Sequence, residues 1–220
     1  MTYVVTSEFE LNRAVSPRLP AATKQYDENY INQLNNVLRL YFNQLDNILG
    51  QLRTASSTSG LRVPYGAFSS DQDQTTTANT ATLMTLNTTD FSNGVSIASS
   101  KITVATAGIY NLQFSAQFQN TDNAIQDISI WLRQNGTDIP GSTGFVSIPA
   151  RKSASAGEEA HEIIGWNYYV SMTAGQYIEI YWSTTLASVS IQYYAAGTSP
   201  TRPSTQSVVA TMSFVSALPP

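Results

Sequence analysis

Between residues 27 and 53, in DENYINQLNNVLRLYFNQLDNILGQLR, the apolar positions Ile31, Leu34, Leu38, Tyr41, Leu45, Ile48 and Leu52 follow one another at spacings of 3, 4, 3, 4, 3 and 4. A mean spacing of 3.5 is the signature of helices that wind around each other. Ile31, Leu38, Leu45 and Leu52 take the a positions and Leu34, Tyr41 and Ile48 the d positions. Val37 at g, with Phe42 and Leu49 at e, widens the apolar stripe, and charged e/g pairs that would specify a dimer are missing. Both features predict three or more strands. Asp27 is placed to cap the helix, with Glu28 facing its positive end. From Ile31 to Leu52 the stalk would be on the order of 33 Å long, marginal alone in water. The competing reading is one amphipathic helix packed on its own β domain.

From Arg62 onward the period changes to two. In Ile109 to Phe118, IYNLQFSAQF, Tyr110, Leu112, Phe114, Ala116 and Phe118 share one face and Asn111, Gln113, Ser115 and Gln117 the other. Further strands are predicted at 125–134, 144–148, 161–172, 176–183, 188–194 and 207–216, with shorter ones at 63–68, 83–86, 95–97 and 102–105. About ten strands, with turn signals at Asn93-Gly94, Ala107-Gly108, Asn135-Gly136 and Ala174-Gly175, describe an antiparallel sandwich or barrel. Asn135-Gly136 is the strongest hairpin signal. Residues 74–90 carry eight Thr and read as a solvent-facing loop with a short edge strand; AGTSPTRPST (196–205) reads as a loop.

The expected organisation is an arm (1–26), a coiled-coil helix (27–53), a linker (54–61) and a mainly β head (62–220). The arm holds Tyr3, Val5, Phe9, Leu11 and Leu19, and Pro17 and Pro20 forbid continuous helix across it. It is either a frayed terminus or a segment that orders on a neighbour, and docking onto a larger assembly is the expectation taken forward.

Composition narrows the function classes. Only 12% of the 220 residues are charged and the net charge is −4, which argues against a nucleic-acid groove. Cysteine is absent, so thiolate metal sites and thiol nucleophiles are excluded. No basic start followed by an apolar run opens the chain, and no apolar run reaches spanning length, so neither a signal peptide nor membrane insertion is expected. His161, the one histidine, lies in EEAHEII; a zinc-protease helix would need a second His at position 165, which is Gly. No Gly-x-Ser-x-Gly elbow presents a serine. Asp71 and Asp73 in SDQDQT lack a glycine-turned cation loop, and no pairing of the head's carboxylates suggests glycosidase chemistry. The expectation is a non-enzymatic protein without a cofactor. Aromatic residues crowd the last third of the head, among them Trp166, Tyr169 and Tyr194. Their outward rings suit either a subunit interface or a carbohydrate platform.

Several stretches together resemble the trimeric jelly-roll heads of the tumour necrosis factor and complement globular-head superfamily. They are GAFSS (66–70), KITVATAGIYNLQFSAQF (101–118), IWLRQNGTDI (130–139), TAGQYIEIYW (173–182) and VVATMSFVS (208–216). The resemblance implies a ten-stranded jelly roll assembling as a homotrimer. The complement-type ending is missing, and cytokine or complement function does not transfer. With an arm and a short coiled coil, the chain looks like a bacteriophage fibre or head-decoration protein, and LPAATKQYDENYINQLNNVLRLYFNQLDNIL (19–49) resembles the start of structural proteins of cyanophage-like viruses. That implies a virion location, docking on other virion proteins through residues 1–26, and attachment to a host-surface glycan or envelope component. A lectin-like adhesin working without a virion is the alternative.

Overall fold

The computed structural model describes residues 15–21, 24–53, 63–153, 155 and 158–218. The chain divides into two compact units between Arg62 and Val63. The expected linker and the arm residues Tyr3, Val5, Phe9 and Leu11 lie outside the described residues; Leu19 lies within them and is exposed.

The first unit contains the helix α1 (Glu28–Arg53). Asp27 caps it as the sequence leads one to expect. Its Oδ1 accepts the Asn29 N–H at 2.9 Å, and its carbonyl accepts the Ile31 N–H at 3.1 Å. The heptad positions Ile31, Leu34, Leu38, Tyr41, Leu45 and Ile48 form one half-buried stripe; the side chain of Leu52 is outside those described. Phe42 and Leu49, flanking the stripe, are about 60% exposed, and no described side chain of the helix is fully buried.

The second unit is mainly β, with sixteen strand segments among the described residues. In chain order they are β1 (Tyr65–Ser70), β2 (Gln74–Thr75), β3 (Thr82–Leu83), β4 (Thr88–Asn93), β5 (Val95–Ala98), β6 (Lys101–Val104), β7 (Gly108–Asn120) and β8 (Gln126–Gln134). There follow β9 (Thr137–Asp138), β10 (Gly144–Ile148), β11 (Ala160–Met172), β12 (Tyr177–Thr184), β13 (Val189–Ile191), β14 (Gly197–Thr198), β15 (Thr201–Arg202) and β16 (Val208–Ser216). Five of these are two-residue pieces, which accounts for most of the excess over the ten or so expected.

Two antiparallel sheets face each other. In the first, β7 is flanked on one edge by β11 along its whole length. On the other edge β16 and then β13 follow in succession, with β1 and β4 beyond β16. The second runs β10-β8-β12-β6-β5. This order is compatible with a jelly roll. Alternation works as the sequence implies. Tyr110, Leu112, Phe114, Ala116 and Phe118 of β7 point inward and meet Ile128, Ile130 and Leu132 of β8 and Ile178, Ile180 and Trp182 of β12 in one buried core. Each of the leucine, isoleucine and phenylalanine side chains among these contributes about 1.5–3 kcal/mol by leaving water. Tyr110 is fully buried, yet its hydroxyl donates to the Thr106 carbonyl at 2.8 Å; burial pushes its pKa up to about 12. Asn135 and Gly136 both have positive φ, 49° and 82°, and close the β8–β9 hairpin as a type I′ turn.

Two expectations need correcting. The Thr-rich stretch is not simply a solvent-facing loop, because Met84 and Leu86 are buried in the core. Gln74, itself buried, pins it: its Nε2 donates to the Thr85 carbonyl at 3.0 Å and its Oε1 accepts the Thr85 N–H at 2.8 Å. The strand β4 was not anticipated. Its side chains are exposed or half-buried throughout, so no apolar alternation announces it.

Candidate interaction surfaces

Partners across a ladder share a face, so the register sorts the outward side chains of the first sheet. The odd-numbered residues of β7 from Ile109 to Gln119 point outward. Beside them lie His161, Ile163, Gly165, Asn167, Tyr169 and Ser171 of β11. Val209 of β16 is opposite Ser115, and Phe91 of β4 is opposite Ala67. Ile163, Tyr169 and Phe91 are 67%, 59% and 62% exposed. Tyr65 and Phe91 stand with ring centroids 6.0 Å apart. On the same face the Oδ1 of Asn111 is buried and lacks a hydrogen-bond partner. This face is a polar amide surface interrupted by large apolar side chains.

At the end of the head away from Val63, side chains from three separate stretches of the chain gather around Tyr194. Its hydroxyl lies 3.1 Å from Nδ1 of His161, and the Arg202 guanidinium sits 5.5 Å from its ring centre. The Tyr193 N–H donates to Oδ1 of Asp73 at 2.8 Å. Burial, then the charges of Asp73 and Glu159, push the Tyr194 pKa up against the opposing Arg202. Along β7 this cluster lies about 40 Å from where the head begins.

The outward face of the second sheet is built differently. Trp131 and Tyr181 are directly opposed across β8 and β12, with centroids 5.9 Å apart and planes inclined by 30°. Arg133 stacks over Tyr181 at 3.9 Å. Oδ1 of Asp138 accepts both the Trp131 Nε1–H and the Arg133 Nε–H at 2.8 Å. These bonds hold the Asp138 carboxyl below the usual carboxylate range, Arg133 contributing most, and Asp138 in turn raises the Arg133 pKa. Two residues along each strand, Ser129 and Ser183 lead into an open groove of about 440 Å³ that also touches Asp127, Phe145 and Thr185. Phe145, opposite Ser129, is 80% exposed.

The three aromatic residues singled out from sequence are not brought together. Tyr169 lies on the outer face of the first sheet. Tyr194 is by the opposite end of β11, beside His161. Trp166 lies on the core side, edge-on to Phe114 at 4.7 Å and against Gly144, half-buried. Asp71 and Asp73 also part company, Asp71 accepting from Asn87 at 2.6 Å and Asp73 from Tyr193. Among the described residues no three His, Cys, Asp or Glu side chains are grouped to hold a metal ion, and no helix is long and apolar enough to cross a membrane. Sequence reasoning missed the Trp131–Arg133–Asp138 set. It was within reach, because all three flank one Asn-Gly hairpin, and a type I′ turn brings such neighbours onto one face. No family model matches the chain, and no curated protein is significantly similar to it.

Proposed function

We propose that the protein is a non-enzymatic virion structural protein, a short homotrimeric fibre or decoration on a bacteriophage particle. Residues 1–26 dock on other virion proteins, the helices zip together through Ile31, Leu34, Leu38, Tyr41, Leu45, Ile48 and Leu52, and jelly-roll heads are presented to a host-surface glycan or envelope component. Nucleic acid and membrane insertion have no part in it. The observation that carries the reading is that each unit, taken by itself, carries large apolar side chains that are not fully buried: the half-buried helix stripe with exposed Phe42 and Leu49 beside it, and Ile163, Tyr169 and Phe91 on the outer face of the first sheet. Self-association would cover both, and each would compensate for the other's small area. The Tyr194 cluster suits an outer tip, since loops at the far end of a rigid sandwich are where recognition is commonly placed.

The test is the mass of the intact chain by sedimentation equilibrium, beside the double substitution Leu38→Asn with Leu45→Asn. Three copies are expected for the parent. The variant should lose mass or melt at a temperature lower by roughly 5 °C or more. A parent that sediments as one chain, or a variant as large and as stable as the parent, sinks the reading. A second reading, a lectin-like adhesin module independent of a virion, is favoured by the braced aromatic pair Trp131 and Tyr181. It needs no trimer.

A further inference from the structure

We infer that the outer face of the second sheet is a binding strip for an uncharged oligosaccharide, with Trp131 as the stacking plate. The strip runs along β8 and β12 from Arg133 and Asp138, past Trp131 and Tyr181, to the groove at Ser129, Ser183 and Asp127. From Arg133 to Asp127 it spans about 20 Å, long enough for several linked sugars.

Three features select this ligand chemistry. A pyranose presents a flat face of C–H bonds ringed by hydroxyls, and the negative face of an indole attracts that positively polarised edge. Trp131 is held ready for it, because Asp138 fixes its Nε1–H and Tyr181, under Arg133, braces its flank. Little side-chain freedom remains to be lost on binding. The groups around the plate are hydroxyl partners. Both bonds to Asp138 land on Oδ1, which leaves Oδ2 to accept from a sugar hydroxyl. The hydroxyls of Ser129 and Ser183 and the carboxylate of Asp127, already accepting from Ser147 at 2.6 Å, continue the series. Finally, the charge balance disfavours an acidic glycan. Asp127, Asp138 and the nearly buried Glu179 face outward on these strands against Arg133, whose guanidinium is already committed to Asp138 and Tyr181. Among the described residues of β8, β10 and β12, Phe145 is the one exposed large apolar side chain, so an apolar protein partner would find no patch on these strands.

This inference deepens the attachment role proposed above and rests on that reading for its biological purpose, though not for its chemistry. The experiment is titration of the full-length chain with neutral hexasaccharides (glucan, mannan and galactan series) and with polygalacturonate, followed by calorimetry, while the mass is recorded in the same samples. At least one neutral series should bind. Trp131→Ala should weaken it about tenfold or more and Trp131→Phe less, since a smaller ring remains. Asp138→Ala should weaken it by a smaller factor, and all three variants should keep the parent's mass. Binding unchanged in Trp131→Ala, no binding in any neutral series, or tighter binding of polygalacturonate overturns the proposal. Trimers without sugar binding would remove this inference and leave the fibre reading. Single chains that bind sugar would do the reverse.

Discussion

The two outer faces of the head are made of the same kind of strand, and they differ in what holds their large side chains. On the first sheet Ile163 and Tyr169 stand among Gln and Asn side chains and Phe91 opposite Ala67, and among the described residues the loose Tyr65–Phe91 contact is the one ring contact made by these three. On the second sheet one aromatic pair is tied by an ion pair, a stacked guanidinium and an indole hydrogen bond. Scattered apolar side chains gain most from being covered by a broad protein surface, which supplies area without demanding fixed geometry. A fixed ring with polar neighbours suits a small polar ligand, whose few contacts must be in place beforehand. Exposure alone does not tell the two uses apart; the bracing does.

The first face depends on β11 pairing with β7 past Gly165, where a side chain has no room, and that dependence gives the largest expected effect. A Cβ on Gly165 would collide with the Phe114 carbonyl oxygen and come within 3.1 Å of the Ser115 Cα. Both obstacles are backbone and cannot swing aside. Gly165→Ala should therefore cost about 3 kcal/mol, read as a lower denaturant midpoint with an unchanged slope. A midpoint equal to the parent's would mean that β11 can lift off β7 freely, and the first face would then be no fixed surface.

A smaller effect separates the uses of the two faces. Ile163→Arg with Tyr169→Arg places charge on the first face without touching the core. It should lower the sedimentation mass while thermal unfolding of the head stays cooperative. Phe145→Arg, at a still more exposed position on the second face, should leave the mass unchanged. If the two variants behave alike, the assignment of assembly to the first sheet fails.

How much of this was legible in the sequence follows from where one side of an element is buried. β7 was readable to within two residues because every second side chain enters the core and the intervening ones stay polar. The helix was readable because its apolar positions repeat at a helical period, although none of its described side chains is fully buried. β4 was not, since neither of its faces is buried, and it is held by backbone pairing to β1 together with the Ser69–Asp90 hydrogen bond and the Tyr65–Phe91 ring contact. The Thr-rich stretch misled because its anchor, Gln74, acts through an amide that makes no hydrophobic pattern. Trp166 and Tyr169 look alike in sequence as outward candidates. Register alone sends Trp166 over Gly144, inside, and leaves Tyr169 outside. Of the strip on the second sheet, the hairpin part was local and within reach. Tyr181 joins only through pairing between strands almost fifty residues apart, which no short-range signal announces.

The smallest effect concerns the bracing itself. The Asp138 carboxyl titrates below its ordinary 3.8 because Arg133 and Trp131 donate to the ionised form. A lowered folded-state pKa means that the brace contributes fully above about pH 4 and is lost as pH falls through the lower, folded value. The pair is solvent-exposed, so acid should change global stability little through this group. What should change is the environment of Trp131. Its indole N–H loses a charged acceptor when Asp138 is protonated, and its fluorescence should shift below pH 3.8, while the shift should vanish in Asp138→Ala. The Trp166→Phe background sharpens the reading, since Trp182 is fully buried and reports only on the core. A fluorescence midpoint at or above that of a free aspartate would mean that the carboxylate does not hold the ring. The second face would then be as loosely furnished as the first, and the contrast between them would disappear.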